Sequence, residues 1–313
     1  MRFGKIITLS LNPVADITLY VNELHLGMEN QVLNELYDAA GKAVDVSRVL
    51  QSYGVLNTAL IVAGEENSRR YFDRLKDENV STRVIFTQGR IRENISVVSS
   101  GGTLTRFIRQ GPKLKPRTID ELEAVLEEEM VPSTLVVVAG LMPEGITEEI
   151  LCEICAFIKR SGGAVALDSR DATLENLGRI QPWVVKPNYE ELCNLVGWRP
   201  VNNEELKQAI HRVHEAGACH VLASLGPEGM AYTNGEVTYR ADVPQLDEVK
   251  STVGAGDAAL AGFLIAHDYK YDLKRSVQLA AAFGTASCLV EGTNPPRRIS
   301  VGMISNQVSV YEI

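Results

Sequence analysis

The chain has 313 residues, of which 45% are hydrophobic and 23% are charged, and its formal net charge is −9. These proportions are typical of a globular protein that buries a sizeable core, and no apolar run reaches the roughly 20 residues that cross a bilayer. The lack of such a run predicts no membrane partner. The negative charge argues against a nucleic-acid-binding protein, although a few local basic groups can still bind an anionic substrate.

Short apolar runs alternate with helical patterns along most of the chain, which predicts βαβ units and a mostly parallel sheet. Several runs are apolar on both alternating sets of positions, as expected for strands covered on both faces. The predicted strands are Lys5–Leu9, Thr58–Val62, Thr134–Ala139, Ala164–Leu167, Trp183–Val185 and His220–Ala223. The predicted helices are Val44–Tyr53, Ser68–Glu78, Ile119–Glu129, Thr147–Arg160, Glu190–Val196, Glu204–Ala216, Ala255–His267 and Leu273–Val290, so that the last third is mostly helical.

Two segments break this alternation, Asp16 to Asp38 and Arg92 to Ile108. Their apolar and polar residues alternate as in exposed antiparallel strands, and the second segment contains a Gly101-Gly102 turn. The pattern predicts a small β-sheet set apart from the main one. Such a sheet can cover a substrate as a lid or form a plain edge hairpin, and the pattern favours neither.

The cysteines are odd in number and irregularly spaced, with one C-x-x-C pair, Cys152 and Cys155. A redox or metal pair is one interpretation, but this stretch is helically patterned and no second pair lies nearby in the sequence. We therefore expect two buried helix cysteines and a cytoplasmic protein.

The segment Ser251 to Asp257 reads S-T-V-G-A-G-D and directly precedes an apolar helix. Its glycines allow a tight turn, and the free N–H groups at a helix start form an anion site suited to phosphate. Gly254, Ala255 and Gly256 would form that site. Asp257 beside it is either a base that takes a proton from an attacking hydroxyl or an ordinary carboxylate that stabilises the helix dipole.

The segment Lys186-Pro187-Asn188-Tyr189-Glu190-Glu191 follows an apolar strand, at the kind of strand end where parallel sheets bind ligands. Asn188 and Glu191 share a helix face and offer the oxygen ligands that Mg²⁺ prefers. They equally fit an N-terminal cap of the helix, and both roles can coexist. Lys186 could offset phosphate charge.

A third strand end carries S-x-G-x-x-G, with Ser224, Gly226 and Gly229, and could lie against a nucleotide or be a plain turn. A fourth carries Asn12 to Asp16. Asp16 could accept hydrogen bonds from sugar hydroxyls. Gly41 and Lys42 open the next helix, where Lys42 could meet an anion. Arg92 and Asn94 could join this group from the second lid segment.

Taken together, the chain resembles the ribokinase-like (PfkB) carbohydrate kinase family, in its branch of 1-phosphofructokinases and tagatose-6-phosphate kinases. The resemblance runs through nearly the whole chain in the family's order. It rests on four motifs, which are Asn12–Asp16, Lys186–Glu191, Ser224–Gly229 and Ser251–Asp257.

The resemblance implies a three-layer α/β/α sandwich with a small β-sheet lid, a single kinase domain over residues 1–313 that often pairs into a homodimer through the lid. It implies Asp257 as the base, and ATP with Mg²⁺ organised by Asn188 and Glu191. We call Lys186, Asn188, Ser224, Gly226, Gly229 and Gly254–Gly256 the nucleotide side. We call Asp16, Gly41, Lys42, Asp45, Arg92 and Asn94 the acceptor side, where a sugar or sugar phosphate would bind.

The departures from the branch lie on the acceptor side. Where the branch has G-G-K-G-x-N, this chain ends the motif in Asp45, whose charge would repel a nearby phosphate. Gln31 stands in place of an Arg, and Leu141 in place of a Ser. Lys42 and Arg92 remain, so we expect a ketohexose phosphate acceptor. Because two phosphate contacts are lost, an unphosphorylated sugar, sugar acid or nucleoside is the alternative within enzymes. A catalytically silent sugar- or nucleotide-binding protein is the alternative outside them.

Overall fold

A ten-stranded sheet runs through the middle of the computed structural model, which describes residues 3–313, and a four-stranded sheet lies apart from it. The strands are β1 (Lys5–Ser10), β2 (Val14–Val21), β3 (Asn34–Ala40), β4 (Asn57–Gly64), β5 (Thr82–Thr87), β6 (Arg92–Ser99), β7 (Leu104–Phe107), β8 (Thr134–Ala139), β9 (Ala164–Asp168), β10 (Val184–Val185), β11 (His220–Ser224), β12 (Met230–Thr233), β13 (Thr238–Asp242) and β14 (Ser309–Glu312).

The large sheet has the order β14-β13-β12-β11-β10-β9-β8-β1-β4-β5, so β14 and β5 are its edges. The seven strands from β11 to β5 are paired in parallel, and β12, β13 and β14 add an antiparallel end. Because the parallel strands all point the same way, the residues that follow them meet at one edge, which is where the site lies.

Helices cover both faces of this sheet. They are α1 (Lys42–Ser52), α2 (Ser68–Asp77), α3 (Pro116–Glu129), α4 (Glu148–Arg160), α5 (Leu174–Ile180), α6 (Tyr189–Val196), α7 (Asn203–Glu215), α8 (Ala255–Asp268), α9 (Leu273–Ser287) and α10 (Arg298–Ser305).

Alternate residues of the central strands belong to different cores. In β8, Leu135 and Val137 pack with α1, α8, α9 and α10, whereas Val136 and Val138 pack with α3 to α7. Every residue of β8 is buried, which explains its continuous apolar sequence. The predicted three-layer α/β/α sandwich is therefore confirmed. No helix in residues 3–313 is long and apolar enough to span a bilayer.

The small sheet, which we call the lid sheet, has the order β3-β2-β6-β7. It joins the two segments that break the βα alternation, and the Gly101-Gly102 turn links β6 to β7 as expected. One detail differs from the sequence expectation, because β2 and β6 at its centre are parallel rather than antiparallel. They come from segments separated by a βαβ unit, so no hairpin imposes antiparallel pairing between them.

The predicted strands and helices all exist, with ends shifted by a few residues. The main omissions are the short antiparallel strands β12, β13 and β14, the edge strand β5, and the helices α5 and α10. Helix α9 also stops at Ser287 rather than Val290. Cys152 and Cys155 are buried thiols of α4, as expected.

Candidate active site

Helix α8 begins at a glycine turn. Gly254 precedes its first residue with φ of 80°, a left-handed conformation that favours glycine. The first N–H groups of a helix lack intrahelical partners. The N–H of Ala255 donates to Thr252 O at 3.4 Å, and Gly256, which borders the neighbouring cavity, presents its N–H as a donor. On Gly256, a Cβ would lie 2.9 Å from Lys186 Nζ, so this ammonium group stands directly over the helix start. Backbone donors and a lysine thus converge on one point suited to an anion.

Asp257, in the first turn of α8, is 7% exposed and borders the same cavity. Burial, followed by the charge of Asp168, raises the pKa of this carboxyl to about 7, against the opposing effect of Lys42 and Lys186. A carboxylate with a pKa near neutrality can take and return a proton at physiological pH. The first-turn position also favours a carboxylate through the helix dipole, and this role does not compete with the other.

Asp168, the last residue of β9, is a site residue that the sequence did not single out. Its buried carboxylate forms ion pairs with both lysines of the site, with Lys42 Nζ 2.7 Å from Oδ1 and Lys186 Nζ 3.1 Å from Oδ2. Burial raises the pKa of Asp168, but the two ammonium groups outweigh that effect and hold it below its usual value. Asp168 thereby fixes both ammonium groups beside the start of α8.

Asn188 and Glu191 form the predicted cap of α6. Asn188 Oδ1 accepts a bond from the Glu191 N–H at 2.9 Å, and Glu191 Oε2 accepts one from the Asn188 N–H at 2.9 Å. The second oxygen of Glu191, Oε1, is buried and has no hydrogen-bond partner within residues 3–313. It lies 3.8 Å from Lys42 Nζ and 3.7 Å from Arg170 Nε. This oxygen is therefore available to a cation or to ordered water.

The S-x-G segment turns sharply after β11. Gly226 and Gly229 have φ of 62° and 93°, and a Cβ on Gly229 would collide with the carbonyl of Ala241. Ser224 lies beside Asn188, since its N–H donates to Pro187 O at 3.0 Å and the two residues form a bridge. The turn therefore sits next to the α6 cap.

One open cavity of about 1510 Å³ brings the nucleotide side together with Asp257, Lys42 and Glu191. Its lining includes Lys186, Asn188, Ser224, Gly226, Gly229, Gly254, Ala255 and Gly256. The remaining acceptor-side residues, Asp16, Gly41, Asp45, Arg92 and Asn94, do not border it. Lys42 and Asp257 are thus the predicted site residues that connect the cavity with the acceptor side.

On the acceptor side, Asp16 of β2 and Asn94 of β6 are paired in register, and Asn94 Nδ2 donates to Asp16 Oδ1 at 2.9 Å. The other Asp16 oxygen remains available to a ligand hydroxyl. Arg92, at the start of β6, is partly buried, and its buried Nε has no hydrogen-bond partner in the described chain. Burial lowers the pKa of this guanidinium, with Asp16 opposing that effect.

Asp45 is buried and held from two directions. Its Oδ2 accepts from the Gly41 N–H at 3.1 Å, and its Oδ1 lies 3.3 Å from Arg48 Nη1. Burial, then the charge of Asp257, raises the pKa of Asp45 well above its usual value, although Arg48 opposes this effect. The repulsion expected between Asp45 and a phosphate is therefore reduced, because Arg48 faces its carboxyl group. Nothing in the sequence pattern singled out Arg48.

Known proteins resemble this chain over nearly its full length. The family model described as pfkB family carbohydrate kinase matches residues 10–299. The 1-phosphofructokinase of Vibrio cholerae is 28% identical over 98% of this chain and 96% of that protein. The tagatose-6-phosphate kinase of Staphylococcus epidermidis is 25% identical over 98% of this chain and 100% of that protein. Phosphofructokinase-2 from Escherichia coli, crystallised with substrates and products, superposes with a TM-score of 0.88 at 25% identity, covering 97% of this chain and 99% of that one.

Proposed function

We propose, on the premise that the chain belongs to the pfkB family of carbohydrate kinases, that this ATP-dependent kinase phosphorylates a hydroxyl of a ketohexose phosphate, with Asp257 as the base. The observation that carries the proposal is the position of Asp257, a buried carboxylate between the anion site at the start of α8 and the acceptor side. No other carboxylate on the helix starts or strand ends of the cavity is both buried and free of a direct ion pair.

In the proposed reaction, Asp257 accepts the proton of the attacking hydroxyl while the oxygen forms its bond to the transferred phosphorus. The N–H groups of Gly254 to Gly256 stabilise the negative charge that develops on the transferred group. Lys186, whose ammonium group lies above Gly256, adds a compact positive charge at the same point. The residues act mainly by positioning and by electrostatic stabilisation, which is how proteins catalyse phosphoryl transfer.

Mg²⁺ fits the residues around Glu191. The free Oε1 of Glu191 is a hard oxygen ligand, and no cluster of three or more metal-ligating side chains exists in residues 3–313. Mg²⁺ keeps several waters and binds one or two carboxylates together with substrate phosphates, so a single carboxylate suffices. When bound, the ion would neutralise phosphate charge. Asn188, whose Oδ1 is committed to the cap, would act by holding Glu191 in place.

A phosphate on the acceptor is supported by Arg92. A partly buried guanidinium whose buried Nε has no partner carries a desolvation cost that an anionic ligand would offset. Lys42 is less available, because its Nζ is committed to Asp168 at 2.7 Å. We therefore assign the acceptor's phosphate to Arg92 and the positioning of the transferred group to Lys42.

An unphosphorylated acceptor is the second candidate. Gln31 and Leu141 stand where the branch that this chain resembles has an Arg and a Ser. Leu141 is 46% exposed and has no polar side-chain atom that could bind a phosphate. Comparing kcat/KM for fructose 1-phosphate and tagatose 6-phosphate with that for fructose and tagatose decides between the two. A clear preference for the free sugars would overturn the sugar-phosphate assignment and leave the kinase assignment intact.

The lid sheet is also the proposed dimer surface. On the face opposite Asp16, the register pairs Ile17 with Ile95 and Leu19 with Val97, an apolar face, and Phe107 beside them on β7 is 54% exposed. Val97 is already buried, whereas a second copy of the lid would cover Phe107 and the partly exposed apolar side chains beside it. Light scattering of the wild type and of Phe107→Asp tests this, because the substitution should yield monomers if the lid forms the interface.

A further inference from the structure

Arg48 on α1 is one of the largest fully buried side chains of the protein, 1% exposed. One edge of its guanidinium pairs with Glu78, the residue after α2, with Nε 2.6 Å from Oε2 and Nη2 2.8 Å from Oε1, and Nη2 also donates to Asn294 Oδ1 at 3.4 Å. This fork-to-fork pair is sufficient to compensate the charge of a buried arginine.

The remaining edge of Arg48 points to two parts of the candidate site. Nη1 donates to Asp45 Oδ1 at 3.3 Å, and to Thr293 at its hydroxyl (2.8 Å) and its carbonyl (3.3 Å). Asp45 in turn accepts from the N–H of Gly41, the residue before Lys42. Through one nitrogen, Arg48 therefore contacts both the acid of the acceptor side and a loop residue 245 positions away.

Thr293 lies directly behind the anion site. A Cβ built on Gly254 would be 3.5 Å from Thr293 Cβ, which is ordinary van der Waals contact. Gly254 has the left-handed conformation that starts α8, so Thr293 lies beside the turn that presents the first N–H groups of that helix. Nη2 of Arg48 also lies 3.8 Å from Oδ1 of Asp38, near the end of lid strand β3.

We propose that Arg48 is a positioning residue for phosphoryl transfer, which holds Asp45 and the Thr293 backing of the anion site at a fixed separation. The inference rests on the proposed function. Its physical basis is that the acceptor hydroxyl and the transferred group must meet within a near-attack geometry, and a displacement of about 1 Å can cost on the order of 100-fold in rate.

If Arg48 only stabilised the fold, the loss of any of its polar bonds would affect stability and leave catalysis alone. If it positions the site, the loss of the bonds to Asp45 and Thr293 affects catalysis as well. Glu78→Gln weakens the charge-paired edge but leaves the partners of Nη1, Asp45 and Thr293, unchanged. Thr293→Val removes only the hydroxyl acceptor beside Gly254 while keeping the side-chain shape. Arg48→Lys keeps the positive charge but cannot form the fork or reach both edges at once. These three variants separate loss of stability from loss of alignment.

The experiment measures kcat, both KM values and the unfolding midpoint for the wild type and the three variants, with MgATP and the best acceptor. We expect Arg48→Lys to lower kcat/KM for the acceptor by about 10-fold or more, the effect of one charge-assisted hydrogen bond, with the KM for ATP within about twofold. Thr293→Val should lower kcat by a few-fold, and Glu78→Gln should lower only the unfolding midpoint. Equal kinetics in all four proteins would overturn the proposal.

A second readout needs no turnover. Amide hydrogen exchange of residues 292–294 and of the first turn of α8 should accelerate in Thr293→Val and Arg48→Lys but not in Glu78→Gln. The same exchange rates in the three variants would overturn the positioning role even if no acceptor were found. The wild type could instead transfer phosphate to no sugar while the variants show the expected exchange pattern. That result would contradict the proposed function and support the link between Arg48 and the anion site.

Discussion

The nucleotide side and the acceptor side differ in the kind of chemical group that forms them. The nucleotide side consists largely of backbone, with left-handed glycines at 226, 229 and 254 and the free N–H groups at the start of α8. The acceptor side consists of side chains, most of them on the lid sheet or on α1, such as Asp16, Asn94, Arg92 and Asp45. A backbone site keeps its chemistry as long as the turns persist, whereas a side-chain site changes with every substitution. A kinase family can therefore keep one phosphoryl donor while the sugar that accepts the phosphoryl group varies.

The largest expected effect tests the point where the two sides meet. Asp257→Asn should lower kcat by at least about 100-fold, the low end for the loss of a general base, because an amide cannot accept the hydroxyl proton. The KM for ATP should change little, since the nucleotide side is left intact. Steady-state kinetics measures both values. A variant that retains near-normal turnover would remove Asp257 from the mechanism.

The pH dependence of the rate should also report Asp257. Its pKa is raised to about 7, chiefly by burial, so the carboxyl group is protonated and unable to act as a base below that pH. We expect kcat/KM for the acceptor to rise with pH and level off above 7, being about 10-fold lower at pH 6 than at pH 8.

A sugar phosphate titrates in the same range, and Glu191→Gln serves as the control. The charge of Glu191 is one cause of the raised pKa of Asp257, so its removal should move the midpoint to lower pH. A midpoint that is identical in the variant would assign the titration to the acceptor and not to Asp257.

The acceptor side is tested by its arginine. Arg92→Ala should raise the KM for a phosphorylated acceptor about 10-fold, because a hydrogen bond to a charged group contributes roughly 1.5–3 kcal/mol. Arg106→Ala, a neighbouring lid arginine with no ion pair among residues 3–313, is the matched control and should change KM by less than about twofold.

A gain-of-binding variant sharpens the same comparison. Gln31→Arg should lower the KM for the phosphorylated acceptor, because a guanidinium binds phosphate through two parallel hydrogen bonds. If Arg92→Ala and Gln31→Arg both leave KM unchanged, the acceptor is an uncharged sugar.

The smallest expected effect concerns the metal. Glu191→Gln keeps a side-chain oxygen that can accept the hydrogen bond from the Asn188 N–H, but it removes the negative charge. The Mg²⁺ concentration for half-maximal rate should therefore rise a few-fold. The adjacent Glu190 is exposed and paired with Arg199 at 2.6 Å, which makes Glu190→Gln the control. Equal Mg²⁺ titrations of both variants would leave Glu191 with a capping role alone.

The sequence predicted the residues of the nucleotide side better than those of the acceptor side, because a backbone site leaves a local sequence pattern and a side-chain site does not. A glycine turn before an apolar helix and a polar segment after an apolar strand are local patterns, so Gly254 to Gly256, Lys186 and Asn188 could be found without a structure. Asp168 also follows a predicted strand, and a carboxylate directly after an apolar run was the signal available for it. Arg48 gave no comparable signal, since an arginine in an amphipathic helix is normally exposed and its partners Glu78 and Thr293 are distant in sequence.

The same limit applies to the fold. Strands such as β8, buried on both faces, are long apolar runs that stand out from their flanks. The strands β12 and β14 have four residues each and pair antiparallel at one end of the sheet, where too few residues exist to show a period. The parallel pairing of β2 with β6 depends on how the chain returns through β4, α2 and β5, and this information is not local.

One edge of the large sheet has a consequence for handling the protein. Edge strands expose unpaired N–H and C=O groups, and a short segment of high β-propensity without proline is a template for aggregation. Strand β5 reads T-R-V-I-F-T, and Phe86 on it is 53% exposed. Arg83, held 2.6 Å from Glu128 of α3, is the charge that interrupts this segment. Its replacement by an apolar residue would lower solubility at high protein concentration before it affected catalysis.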